Sequence, residues 1–264
     1  MITRTLSIAA VSAVLALGAC QTAPETQTGF LGSYEGLAAP GQSLRASVLQ
    51  RRDDEAAAGI ERVFIAPSVL MAGVGEAVSA ADRARVLREV DRQICYEVSE
   101  RFTVISDAAP DAATIRAAVV RINATGQAGS LASATASYFI PGPIGVRIPG
   151  ATGGLAAEAE LIGPDAAQIA AIIWARNATV VGTDSPSLSR VGDALQLAEP
   201  FGDAVGDAFS PTSRKPRPIA TPDPCQRFGP RFSPAGIIAG FATGLYVPEL
   251  AGAKDTDDER KDPR

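Results

Sequence analysis

Residues 155–176 read LAAEAELIGPDAAQIAAIIWAR, and their periodicity decides the fold class. Ala157, Ala159 and Leu161 alternate with Glu158 and Glu160, so the carboxylates leave one side of a strand and the apolar groups the other. Gly163, Pro164 and Asp165 break the run with turn residues. Ile169 to Val181 then returns as an antiparallel strand carrying Trp174 and Arg176. Glu158 or Glu160 opposite Arg176 is the expected cross-strand pair. Such pairs contribute about 0.2–1 kcal/mol, so the two acids read as sheet surface before they read as an active site.

Upstream, Arg62 to Pro67 with Val63, Phe64 and Ile65 reads as a buried strand stopped by proline. Phe102, Val104 and Ile105 form a second. Ile115 to Thr125 is a long strand with Ala117, Val119, Arg121 and Asn123 expected on one face and Val120 and Ile122 on the other. Ser79 with Asp82 opens an amphipathic helix whose apolar stripe is Val86, Leu87, Val90, Ile94 and Val98. Ser187 to Phe209 is a second helix, with Leu188, Val191, Leu195, Ala198, Val205 and Phe209 as its apolar set, which Pro200 is expected to kink or split. Gln50 to Glu55 is charged and expected to be solvated. The expected domain, residues 29–209, is α+β: a mainly antiparallel sheet of about four or five strands with two principal helices.

Two segments fit no simple element. Gly126 to Gly154 is rich in Gly, Ala, Ser and Pro and reads as a long loop or extended hairpin. Its Tyr138, Phe139, Ile140, Ile144 and Val146 are candidate interaction residues, because long loops with hydrophobic tips carry binding. Residues 210–264 form a proline-rich, then charged extension. Ile237 to Val247 is its one apolar stretch, and Lys254 to Arg264 is expected to be disordered.

The amino terminus fixes location more firmly than anything fixes chemistry. Arg4 precedes an apolar run from Leu6 to Leu17 that is shorter than the roughly 20 residues a bilayer span needs. Leu17-Gly18-Ala19-Cys20 resembles a bacterial lipobox, so residues 1–19 read as a lipoprotein signal peptide and Cys20 as the lipidation site. The alternative is an ordinary signal peptide with Cys20 merely near its cleavage site. Two or more acyl chains anchor durably where one binds reversibly, so palmitate-labelled Cys20 is expected to tether the body through residues 20–28. Gln21 rather than Asp after the cysteine resembles the sorting signal of outer-membrane lipoproteins facing the periplasm.

The 264-residue chain has a formal net charge of −5, which argues against nucleic acid or anionic lipid as the main partner. It contains no histidine, which removes the commonest general base, the commonest metal ligand and every Ser-His or Cys-His pair. No cofactor, metal or catalytic residue is expected. With Cys20 acylated, Cys95 and Cys225 remain; in an oxidising compartment they read as a disulfide, the alternative being two separate buried thiols. The bridge would close a loop of about 130 residues, worth roughly 4–5 kcal/mol in the chain-entropy model. Acid–base chemistry by Glu158, Glu160 or Asp193 would need paired carboxylates in a cleft.

Several stretches together resemble the bacterial lipoprotein family called domain of unknown function 3313. They are Gly29-Phe30-Leu31-Gly32 with Tyr34 and Leu37, Val63 to Pro67, Pro141 to Gly145 ahead of Gly153-Gly154, Glu158 with Glu160, Ile169 to Arg176, and Gly192-Asp193-Ala194. The resemblance implies no activity and carries over no catalytic residue. The expected role is therefore a non-enzymatic, membrane-anchored lipoprotein that binds another protein or itself. The alternative is a carrier or sensor for a small apolar ligand.

Overall fold

The structure is a computed structural model and describes residues 27–41, 45–139, 145–231 and 233–250. In chain order its elements are β1 (Ser47–Arg52), α1 (Asp54–Gly59), β2 (Arg62–Ile65), β3 (Val69–Leu70), α2 (Ala80–Ser99), β4 (Thr103–Ile105) and β5 (Ala113–Asn123). There follow α3 (Gln127–Phe139), β6 (Gly145–Val146), β7 (Gly154–Ile162), β8 (Gln168–Asn177), β9 (Val181–Gly182), α4 (Gly192–Phe209) and α5 (Pro234–Thr243).

The predicted hairpin is β7 and β8, and strands add to both of its sides. The resulting sheet has seven strands in the order β1-β8-β7-β5-β2-β4, with β3 also on β5. It is therefore larger than the four or five strands expected, and mixed. β1, β8, β7 and β5 are antiparallel neighbours, whereas β2 lies parallel to β5 and β4, and β3 parallel to β5. The parallel pairs exist because α2 carries the chain back over the sheet between β2 and β4. β1 was masked in the sequence by Gln50, Arg51 and Arg52, which suit a rim strand. A separate two-stranded ribbon joins β6 to β9.

One face of the sheet is covered by α2 and α4. Val86, Val90, Ile94 and Val98 join Leu195, Ala198, Val205 and Phe209 over Ala157, Ala159, Leu161, Ile172 and Trp174, all at most 2% exposed. Each large side chain buried there stabilises by about 1.5–3 kcal/mol. Trp174 meets Phe201 with ring centroids 5.6 Å apart. The expected cap is present: Ser79 Oγ accepts from the Asp82 amide at 3.1 Å. α4 starts at Gly192, later than expected, and leaves Leu188 45% exposed; Pro200 is accommodated inside one continuous helix. Helix α4 crosses α2 at Gly202, where a Cβ would lie 2.8 Å from the Gln93 carbonyl group, so only glycine permits that approach.

Two expectations are corrected by backbone geometry. In β5 the register shifts between Val119 and Arg121, so Val119 and Ile122 both join the core rather than facing opposite sides. Residues 127–139, expected in a loop, form α3, because an Ala- and Ser-rich run with Thr135 as its one β-branched residue accepts helix once a neighbour packs on it. That neighbour is the Ala151 turn: the Gly126 amide donates to the Ala151 carbonyl at 2.9 Å, and Ser133 Oγ accepts from the Ile148 amide at 3.0 Å.

Candidate functional site

The sheet face opposite the helices carries Glu158 and Glu160, each 0% exposed, under a strap formed by residues 28–37. Thr28 donates to Glu158 through its amide (3.2 Å) and hydroxyl (2.8 Å). The Tyr34 hydroxyl donates to Glu158 at 2.7 Å while accepting from the Gly29 and Leu31 amides at 2.9 and 3.2 Å. Glu160 accepts from the Gly32 amide at 2.8 Å, from Gln168 at 2.6 Å and from Arg116 Nε at 2.9 Å. Phe30 lies under the Arg116 guanidinium, and Leu31 packs with Ala171 and Ile173. These carboxylates are saturated with donors from the chain itself and hold the strap in place.

The expected pairing of Glu158 or Glu160 with Arg176 is excluded by register. Glu158 stands opposite Ile173 and Glu160 opposite Ala171, whereas Arg176 stands opposite Leu155 on the helix side. Arg176 instead donates to both oxygens of Asp184, at 2.7 and 2.9 Å. Burial, the largest influence on Asp184, would raise its pKa, but the Thr179 amide and hydroxyl and Arg176 together hold it below the ordinary value.

Asp193 lies in the first turn of α4, where the positive end of the helix dipole favours an anion. It is 0% exposed and paired with Arg147, itself 2% exposed. One carboxylate oxygen accepts from Arg147 Nη2 at 3.0 Å and from the Gly153 amide at 2.6 Å. The Thr125 hydroxyl accepts from the Asp193 amide at 3.1 Å, which supplies the cap that Val191 lacks. Glu158 and Glu160 thus lie side by side under the strap, and Asp193 lies apart from them at the start of α4, each satisfied by donors of the chain itself.

A cleft of about 630 Å³ opens between α2, α4 and the C-terminal segment. Glu89, Arg92, Tyr96, Arg176, Leu195 and Val247 are among its lining residues, so its walls mix charged, aromatic and aliphatic groups. Glu89 accepts from Arg92 and Gln93, both at 2.7 Å. Arg231 holds Asp223 at 2.6 and 2.9 Å, donates to Ser99 Oγ at 2.8 Å and stacks 4.5 Å over the Tyr96 ring. Burial, with the nearby Glu89, pushes the Tyr246 hydroxyl well above its usual pKa. Behind this wall Cys95 and Cys225 form the expected disulfide, with Cα atoms 5.9 Å apart across 130 residues. The C-terminal segment is thereby part of the packed body through residue 250, including α5 over much of the apolar stretch seen in the sequence.

Of the expected interaction residues, Tyr138 and Phe139 end α3 and Val146 pairs with Val181 in the β6–β9 ribbon. Ile140, Ile144, the lipidation site Cys20 and the expected disorder of 254–264 lie outside the described residues. The sequence reading missed Arg147 as the partner of Asp193 and Tyr34 as the clasp of the strap. The signal for Tyr34 was present: a lone tyrosine in a glycine-rich stretch, with two carboxylates on an otherwise apolar hairpin that needed donors.

No curated protein matches this sequence. Among solved structures, the chain is similar to a PelC dodecamer from Paraburkholderia phytofirmans at 10% identity and a TM-score of 0.38, covering 62% of this chain and 97% of the PelC chain. A single-residue variant of that PelC dodecamer gives 10% identity, a TM-score of 0.35 and coverages of 61% and 97%. The model of a family described as a protein of unknown function, DUF3313, matches residues 26–205, and the chain belongs to that family.

Proposed function

We propose that the protein is a lipoprotein of the outer membrane, held at its periplasmic face by acyl chains on Cys20, with a non-enzymatic role as a binding or structural partner of another envelope protein or of itself. The observation that carries this reading is the strap. Thr28, only eight residues after Cys20, is already locked onto buried Glu158. At roughly 3.3–3.6 Å per residue the intervening leash reaches at most about 25–30 Å, so an acylated Cys20 confines the body close to its membrane. Such confinement raises the effective concentration of any partner in the same leaflet. The binding edge is the part of β1 flanking Gln50: Ala38 exchanges both backbone bonds with Gln50, and a partner strand would extend from or displace that bridge. Among the described residues no helix is long and apolar enough to cross a membrane.

The test compares the parent with Cys20→Ser for palmitate incorporation and for cofractionation with outer membranes. A photoreactive residue at position 47 on β1 reads the partner in cells. The expected result is label and membrane association in the parent alone, with a discrete crosslinked product from position 47. Label retained by Cys20→Ser, or a membrane-held protein giving no product along β1, refutes the proposal.

A further inference from the structure

We propose that the end of the molecule built from α3, the β6–β9 ribbon and the turn before β7 rests on the phospholipid surface, with Leu131, Ile148, Val180 and Val181 in the interfacial layer. This deepens the tether reading above and rests on it. The first support is the distribution of apolar groups along the sheet axis. Leu131 is 55% exposed, Ile148 44% and Val181 61%, and Leu188 beside α3 is 45% exposed. Backbone contacts bring them to one end: the Arg147 amide donates to the Val180 carbonyl, Ile148 is bonded to Ser133 of α3, and Gln127 of α3 donates to the Leu188 carbonyl.

The second support is polarity. Register places the starts of β2 and β5, the end of β1 and the β7–β8 turn at the opposite end of the sheet. Exposed Asp53, Asp54, Glu55, Glu61, Asp111 and Asp165 gather there with Arg52, Arg62, Arg214 and Arg217, so that end carries charges of both signs and is costly to dehydrate. The third support is the path of the strap. Thr28 sits at Glu158 and Gly32 at Glu160, so the chain runs alongside β7 toward its C-terminal end. Thr28, the strap residue nearer Cys20 in sequence, therefore lies on the Gly154 side of Gly32, toward the end where the apolar side chains are. A few half-inserted Val, Ile and Leu side chains, each gaining a fraction of its full burial energy, fix orientation once acyl chains supply the affinity.

The experiment uses nitroxide spin labels on Ile148→Cys, Val181→Cys and, as the reference at the opposite end of the sheet, Glu55→Cys. Each full-length lipidated protein is reconstituted into phosphatidylethanolamine–phosphatidylglycerol vesicles and compared with its soluble Cys20→Ser counterpart. The ratio of collision rates with oxygen and with water-soluble chromium oxalate is expected to rise at least about threefold at 148 and 181 on vesicles, as lipid replaces water, and to stay constant at 55. Unchanged ratios at 148 and 181 on floated vesicles overturn the proposal. So does spin–spin broadening at those sites that vanishes on dilution with unlabelled protein, which assigns the end to a second copy. Should palmitate labelling fail, the tether reading falls by itself. The same labels are then read with the mature chain held on vesicles by an N-terminal hexahistidine and a nickel-chelating lipid, where the same rise upholds the lipid contact and its absence overturns it.

Discussion

Asp193→Asn keeps the shape of a side chain at the start of α4 and removes its charge, while Arg147 beside it remains cationic and 2% exposed. In the parent, the carboxylate takes two guanidinium contacts and the Gly153 amide. Breaking a buried pair from one side costs about 3–5 kcal/mol, most of it the uncompensated charge left behind. An asparagine oxygen still accepts one of these bonds, which places the expected loss near about 3 kcal/mol. For a chain of this size that lowers Tm by about 6–12 °C. The assay is thermal and urea unfolding followed by circular dichroism in the Cys20→Ser background, closed as a cycle with Arg147→Met. The double variant is expected to recover at least about 2 kcal/mol relative to the sum of the singles. An Asp193→Asn protein within about 1 kcal/mol of the parent, or strictly additive singles, refutes the reasoning.

Three further outcomes are expected. Cys225→Ser with Cys95→Ser loses roughly 4–5 kcal/mol of loop-closure stabilisation and makes residues 211–250 the first site of limited proteolysis, read by mass spectrometry; an unchanged cleavage pattern contradicts this. Tyr34→Phe leaves Glu158 and the Gly29 and Leu31 amides short of partners, costs about 1–3 kcal/mol, and speeds hydrogen exchange in the strap while sparing β7 and β8; uniform exchange across both would contradict it. Burial raises the carboxyl pKa of Glu97, helped by Asp203 and Glu100, and burial likewise raises that of Asp203, helped by Glu199. Such groups bind protons more tightly folded than unfolded, so stability rises as pH falls from neutral toward the unfolded values near about 4. Asp203→Asn is expected to raise Tm at pH 7 and to shrink the gain the parent shows on acidification to pH 5; a variant that melts lower at pH 7 contradicts the sign.

The elements legible in the sequence were those whose periodicity survives in one dimension. The β7–β8 hairpin shows strict alternation and a Gly-Pro-Asp turn, and α2 shows a clean stripe with its serine cap, so both lie close to where the pattern puts them. β1 was hidden because a rim strand is charged on purpose, and α3 because small residues carry no stripe. The misassigned face of Arg121 came from a bulge, which adds one residue without any compositional mark. Partner choice was the least legible. Glu158 and Glu160 read as sheet surface, because the donors that satisfy them once buried, Thr28 and Gly32, stand more than 120 residues away, and local pattern does not reach that far.

At Gly202 the main chains of α2 and α4 meet with no side chain between them, and at Gly206 a Cβ would already press on Glu97. At these two points one added methyl group would force the helices apart, so their spacing over the sheet is set by backbone rather than by adjustable side chains. The disulfide ties the C-terminal segment to α2 on the helix side, and Thr28 ties the strap to Glu158 on the other face. The sheet is thus gripped from both faces by segments remote in sequence.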